Sequence, residues 1–387
     1  MNNLKILFAA LLFVVGYLPI QSEDAEPKNQ YLTGNWGGAR TAMIDKGVTF
    51  ELVYTGDAFT NAQGGAKSGG GFLGNLDITL DLDMEKFVGW KGGQIFLYGL
   101  GNHGQDPTEF VGDAQGTSNI ETGADTFILY EAYIQQSFLE DKISILFGLH
   151  DLNSEFYGND PAGLFLNSSF GIGTDMAQSG EQGPSIFPVA ALAARLKVQP
   201  ADNIYILAAG YDAVAGDPTN SQGTHVDFNF DSGFLWITEA GYAKEGAAKL
   251  GVGVWGYTEE VTGIDGKPHT PLGYYVIGDI ALGDVFAIFA RAGFSTKNVY
   301  EVESNYAGGF TVVPAFMGRA DDLLGLAFTS IKSTSANDTE TSVEFTYLLQ
   351  VTPWISFQPD FQYVLQPSAD STVDNAFYIG LRTSVSF

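Results

Sequence analysis

The chain has 387 residues, no cysteine and a formal charge of −27 at neutral pH. Without thiols there is no disulfide framework and no thiolate metal site, and the surplus of negative charge would repel nucleic-acid phosphates. Charged residues are only 16%, glycine is 48 of 387 and aromatics reach 13%, where soluble domains average about 25% charged and about 7% glycine.

The chain opens Met1-Asn2-Asn3-Leu4-Lys5, runs apolar from Ile6 to Val15, then passes Pro19, Gln21 and Ser22 into acidic Glu23-Asp24. A basic start, a short apolar core and small polar residues after it predict a secretory signal peptide over 1–22. Ten helical residues rise about 15 Å, too little to cross a hydrocarbon layer of about 30 Å. Residues 23–47 read as a periplasmic leader, with a brief helix from Thr41 to Lys46 that Gly47 is placed to end.

From Val48 onward the pattern alternates. Val48, Phe50, Leu52 and Tyr54 oppose Thr49, Glu51, Thr55 and Asp57; Leu76, Ile78, Leu80 and Leu82 oppose Asn75, Asp77, Thr79, Asp81 and Asp83. Val343, Phe345, Tyr347 and Leu349 oppose Ser342, Glu344, Thr346 and Gln350. A period of two puts successive side chains on opposite faces of a strand. An Arg or Lys facing mid-membrane lipid costs about 2–4 kcal/mol, and acids somewhat less, so the face is fixed by parity.

Sixteen such segments are expected. The first eight are 48–59, 72–83, 93–102, 126–138, 142–151, 189–199, 203–212 and 233–243. The second eight are 248–258, 272–281, 284–295, 306–314, 323–331, 341–350, 354–365 and 376–387. Short links alternate with long ones, which is the plan of an antiparallel transmembrane β-barrel with short periplasmic turns and longer outer loops. The fold class is therefore all-β, with 48–387 forming the barrel. Gly69-Gly70-Gly71 reads as a flexible loop end. The longest link, 152–188, is the third outer loop, and its Asn and Phe content predicts that it folds inward and narrows the pore.

The last strand is the clearest. Phe377, Ile379, Leu381 and Val385 share one face, whereas Tyr378, Gly380, Arg382, Ser384 and Ser386 share the other. The terminal Phe387 is the expected handle for the barrel-assembly machinery. Outer-membrane lipid and lipopolysaccharide are the expected surroundings.

Several segments resemble one family. Leu32-Thr33-Gly34-Asn35-Trp36-Gly37-Gly38-Ala39-Arg40, Phe87-Val88-Gly89-Trp90-Lys91-Gly92-Gly93 and Leu166-Asn167-Ser168-Ser169-Phe170-Gly171 are similar to stretches of the OprB-type carbohydrate-selective porins. Phe187-Pro188-Val189-Ala190-Ala191-Leu192, Thr352-Pro353-Trp354, Gln358-Pro359-Asp360-Phe361-Gln362-Tyr363 and Gly380-Leu381-Arg382 add to the likeness, which spans nearly all of the chain after residue 22. The resemblance implies a sixteen-stranded outer-membrane channel for passive diffusion of mono- and small oligosaccharides. About 213–275 carries no clear motif of the family.

A sugar presents hydroxyls and apolar C–H faces, so a channel favouring it should offer paired donors and acceptors beside aromatic surfaces. By parity the lumen candidates are Glu51, Asp77, Asp81, Glu131, Arg195, Lys197, Glu239, Arg291, Glu344, Gln358, Asp360, Gln362 and Arg382. Opposed arginine and carboxylate rows would set a field across the constriction. Gln358, Asp360 and Gln362 form one inward stripe. In the long loop Asn153, Phe156, Phe165 and Asn167 are the candidate sugar contacts; packing of Phe165 and Phe170 against the wall competes with that role. Trp36, Trp90, Trp236, Trp255 and Trp354 are expected in the interfacial girdles.

Catalysis has little support. His103, His150, His225 and His269 are scattered, and His150-Asp151 point to opposite faces of a regular strand. No nucleophile elbow, phosphate loop or paired-His metal motif occurs, and no metal or cofactor is expected. A general or cation-favouring porin, suggested by the negative charge, stays open, as does monomer versus homotrimer.

Overall fold

The computed structural model describes residues 30–217, 220, 224, 226 and 231–387. The expected signal peptide, residues 1–22, lies outside the described residues. The strands in chain order are β1 (Val48–Gln63), β2 (Gly69–Asp83), β3 (Gly93–Gly104), β4 (Thr126–Phe138), β5 (Ile143–His150), β6 (Ala191–Ala201), β7 (Ile204–Asp212), β8 (Phe234–Lys244) and β9 (Ala248–Tyr257). They continue with β10 (Val261–Thr262), β11 (Pro268–His269), β12 (Leu272–Leu282), β13 (Phe286–Ser295), β14 (Val302–Val312), β15 (Leu323–Ser333), β16 (Thr339–Thr352), β17 (Ile355–Leu365) and β18 (Ala376–Ser386). Sixteen of these close into one barrel, each strand pairing with its neighbours and β1 returning to β18; β10 and β11 form a separate hairpin inside an outer loop.

Closure follows from alternation. Phe127, Ile145, Phe147, Leu250, Val252, Tyr274 and Phe328 are exposed on the outside, while Ile128, Leu146, Trp255, Tyr275 and Thr329 on the alternate positions are buried. Large apolar side chains left uncovered on the outer face suit a wall with lipid outside, and buried Asp77, Glu239, Arg291 and Glu344 on inward positions add polar groups to the rings within. The sheet has no free edge, because Val53–Phe59 lie in register with Ser386–Gly380.

Several expectations need correction. The strand expected over 306–314 is β14 and starts at Val302, four residues earlier, and the leader helix is Ala39–Asp45. The glycines 69–71 are no loose loop end: they open β2 and pair with Phe59, Thr60 and Asn61. The approach is close there, since a Cβ on Gly70 would sit 2.2 Å from the Phe59 carbonyl oxygen. Trp255 is no girdle residue: on β9 it falls at an inward position and is fully buried, edge-on to Tyr257. Trp36, Trp90 and Trp236 are exposed, as girdle residues are.

A bulge alters the parity of β4. Tyr98 pairs with Glu131 and Gly99 with Leu129, leaving Tyr130 unmatched between them. Both Tyr130 and Glu131 are buried inside the barrel as a result. An extra residue in one strand produces this re-aiming.

On the short-turn side the leader folds against the seam. The Arg40 guanidinium lies 3.6 Å from the centre of the Tyr31 ring and 4.2 Å from that of Trp36. It donates to the Phe387 carbonyl oxygen at 2.8 Å, and the Phe387 amide donates to the Leu52 oxygen at 2.9 Å. Asp83 caps the helix Met84–Val88 by accepting from the Glu85 and Lys86 amides.

Candidate functional site: an occluded lumen

Two outer loops, not one, fill the barrel. The third loop enters as expected, between β5 and β6. The second, between β3 and β4, folds in beside it: the Asn119 amide donates to the Leu166 oxygen at 2.7 Å and the Ser168 amide to the Gly116 oxygen at 2.8 Å. The second loop's Thr117 and Ser118 are fully buried. Sequence reading missed this, since the stretch shows no apolar periodicity; only its uncommon length hints at a role.

Four wall glutamates hold these loops, all by accepting from main-chain amides. Glu344 accepts from Leu166 at 2.6 Å and Asn167 at 3.0 Å. Glu239 accepts from Tyr157 at 2.9 Å, and also from the Tyr275 and Tyr205 hydroxyls at 2.6 and 2.7 Å. Glu131 accepts from Asp151 at 2.8 Å. Glu340 accepts from Ala114 at 2.8 Å and Gln115 at 3.2 Å. A buried carboxyl group needs several hydrogen-bond partners, and the main-chain amides supply them. Some of the acidic side chains thus anchor loops instead of facing solute.

The glutamine–aspartate stripe has a related role. Gln358 donates to the Leu164 oxygen at 2.7 Å and to Thr346 Oγ1 at 3.0 Å. Gln362 donates to the Thr117 oxygen at 2.7 Å and to Asp360 at 3.0 Å, and accepts from Asn167 Nδ2 at 3.2 Å. All three point inward as parity predicts, yet the loops cover them.

The loop residues expected to touch sugar are also enclosed. Phe165 packs on Phe170 and Phe289 with ring centres 4.9 and 5.8 Å apart. Phe156 lies in the core with Leu152, Tyr211 and Trp255. Asn153 donates to the Phe156 and Gly171 oxygens at 3.1 and 3.2 Å, and Asn167 is fully buried. Tyr157 stacks on Tyr275 at 3.8 Å and donates to Asp175 at 2.9 Å. Gly293 makes this possible, because a Cβ there would lie 1.7 Å from the Tyr157 hydroxyl. An aromatic-rich loop folds inward because the rings pack in a dry interior, and packing removes them from the water path.

What stays half-exposed is a polar chain along the inner wall below the third loop. Asp81 accepts from Gln94 Nε2 at 3.0 Å, and Gln94 Oε1 accepts from Gln135 at 3.1 Å. Gln135 Oε1 accepts from Arg195 at 2.5 Å, and Arg195 reaches Glu155 of the loop at 2.5 Å. Arg195 also donates to Ser144 Oγ at 2.6 Å. Asp81, Gln94, Gln135 and Glu155 are each only partly buried, and so is inward-facing Tyr133, which stacks on Phe96 at 5.1 Å. Gln94 and Gln135 are direct cross-strand partners, which builds the chain into the register of β3 and β4.

The arginines do not form a row opposite the carboxylates, as parity alone suggests. Arg382 is paired across the seam with Asp57 by two contacts of 2.8 Å, and Ser118 donates to the same carboxylate at 2.7 Å. Arg195 contacts Glu155 directly, and Arg291 donates to the Gly171 oxygen at 3.1 Å. His150 bonds Tyr211 at 2.9 Å and lies 3.2 Å from Ser154 Oγ.

A closed sixteen-stranded barrel with an apolar exterior, a polar interior and inward loops is a porin of the bacterial outer membrane. The chain belongs to the OprB family of carbohydrate-selective porins, whose family model matches residues 67–277 and 283–387. It is similar to Porin B of Pseudomonas aeruginosa, at 24% identity over 97% of this chain and 96% of that protein. A putative porin, QuiX, of Acinetobacter baylyi is 22% identical, over 92% of this chain and 93% of its own. In fold it is similar to the high-pH structure of Pseudomonas putida OprB, with a TM-score of 0.85 at 20% identity, covering 94% of this chain and 99% of that one. An anion-selective porin from Comamonas acidovorans shares the fold more loosely, with a TM-score of 0.57 at 12% identity over 88% of this chain and 99% of that one.

Proposed function

We propose that carbohydrates diffuse passively through this barrel along half-exposed Asp81, Gln94, Gln135 and Glu155, which buried Arg195 ties together from behind, with Tyr133 as an apolar platform beside them. The observation that carries the reading is the run of side-chain hydrogen bonds from Asp81 to Arg195, which an ion pair with Glu155 continues onto the loop. Each amide there offers both an N–H and a carbonyl, so a sugar hydroxyl can replace one partner and then hand back to the next. No step needs energy, because each exchanged bond is matched by a similar one. Asn153, Phe156, Phe165, Asn167, Glu131, Gln358, Asp360 and Gln362 act as the scaffold that fixes the aperture, and Arg382 sits at its seam.

Planar-bilayer recordings test this reading. Mono- and disaccharides should block the current of the wild-type channel. The double variant Gln94→Ala/Gln135→Ala should weaken that block about three- to tenfold, the equivalent of one net hydrogen bond. Equal block in wild type and variant would sink it.

The leader and the end of the chain fit export and assembly at the outer membrane. A signal peptide over 1–22 would deliver the chain to the periplasm, where Phe387 would be read by the assembly machinery before Arg40 covers its carbonyl. A cation-favouring channel is the second reading, suggested by the charge of −27. Reversal potentials in a salt gradient separate the two: strong cation selectivity with no sugar block favours the second.

A further inference from the structure

On the outside of the barrel, at the long-loop ends of β12 to β16, the wall carries a notch of about 380 Å³. Its floor is aromatic. Tyr274 and Phe294 stack at 5.0 Å, and Phe294 meets Tyr306 edge-on at 5.6 Å. Tyr274 and Tyr306 are exposed at 55% and 45%, on the face the barrel turns to lipid. Above this shelf the lining changes character, to Lys297, Lys332 and a hydroxyl row that includes Ser330, bonded to Thr341 at 2.7 Å. Lys332 is held upright by Glu303 at 2.7 Å and keeps 39% of its side chain exposed. Lys297 is exposed and has no bonded partner among the described residues.

The position defines the ligand. Outward aromatic residues at the end of a transmembrane strand mark the height where acyl chains give way to headgroups. The long-loop ends face the outer leaflet, which in this membrane is built of phosphorylated glycolipid. Two lysines on one patch stand out in a chain with 18 basic and 45 acidic residues. Such a patch complements a headgroup bearing phosphate on a sugar ring, with the hydroxyl row for the ring and the aromatic shelf for the first acyl carbons. We propose that this notch is a binding site for the phosphorylated disaccharide headgroup of one lipid A molecule of the surrounding lipopolysaccharide. The site lies outside the lumen and is independent of which solute passes through.

The test uses the whole barrel in detergent, mixed with bisphosphorylated lipid A and read by native mass spectrometry. One bound lipid per barrel is expected, with Lys297→Gln/Lys332→Gln weakening it about tenfold or more. Lys297→Gln alone, which leaves the Glu303 pair in place, should show a smaller loss in the same direction. Heat-modifiable gel migration and sugar block of the current should match wild type in both. Dephosphorylated lipid A should bind as weakly as the double variant does. Three results would overturn the proposal: full binding by a correctly folded double variant, equal binding of dephosphorylated lipid A or phosphatidylglycerol, or displacement of lipid A by millimolar inorganic phosphate, which would mark a site for the free anion.

Discussion

Asp57 and Arg382 face each other across the line where the first strand meets the last, and two contacts of 2.8 Å join them. Asp57 is fully buried, and its carboxylate is bonded by this partner and by Ser118. Arg382→Ala leaves that carboxylate without its cation, a loss that costs about 3 kcal/mol or more when a buried pair is broken on one side. The expected outcome is a lower temperature for loss of heat-modifiable gel migration, with much of the loss recovered in Asp57→Ala/Arg382→Ala. Equal destabilisation in the double variant would show that the pair is not coupled.

Glu344 holds the third loop by two main-chain amides. Glu344→Ala removes both bonds, each worth about 0.5–1.5 kcal/mol net. Higher single-channel conductance and more open-state noise are expected. Unchanged conductance would mean that Glu239 and the aromatic packing suffice to hold the loop.

Tyr157 and Asp175 occupy the space that Gly293 leaves open. Gly293→Ala forces them away, an overpacking penalty of about 1–3 kcal/mol. Easier protease cleavage within 151–190 in folded barrels is the predicted readout.

The inward loops are expected to loosen in alkali. Burial, with Asp113 and Asp106 close by, lifts the Glu121 carboxyl to about 8, and burial lifts that of Asp175 to about 7. Both exceed the ordinary carboxyl value of about 4, so the docked loops bind these protons more tightly than free loops do. Docking is therefore fully supported below about pH 4 and loses that support as pH rises through 7 and 8. Current noise should grow between pH 5 and pH 9. Glu121→Gln with Asp175→Asn should flatten the profile, whereas a profile unchanged by both substitutions would refute the assignment.

Parity made the wall legible. Where residues alternate without interruption, as from Val343 to Leu349, the face of every side chain follows from the chain alone. It fails to reveal the extra inward residue of β4, because the Tyr130–Glu131 bulge is set by pairing with Tyr98 and Gly99 on another strand. Trp255 was misplaced for a different reason. A tryptophan suits an interface by its chemistry, but its position in β9 puts it inside, where a loop covers it. The candidate site was only partly legible. The candidate Asn, Gln and Phe lie inside the barrel, but which side chains there remain wet depends on two loops whose course follows from amide contacts. Gln94 and Gln135, ordinary polar positions in the sequence, acquire their interest only through their register.

The glutamate clasps grip peptide groups, and every residue except proline carries the N–H they need. Side chains along the plug can therefore be exchanged without unfastening it, provided the exchanged residue keeps that amide. Attachment and solute choice become separately adjustable, so a porin of this build can change its diet by drifting at a few wet positions while its gateway stays bolted in place.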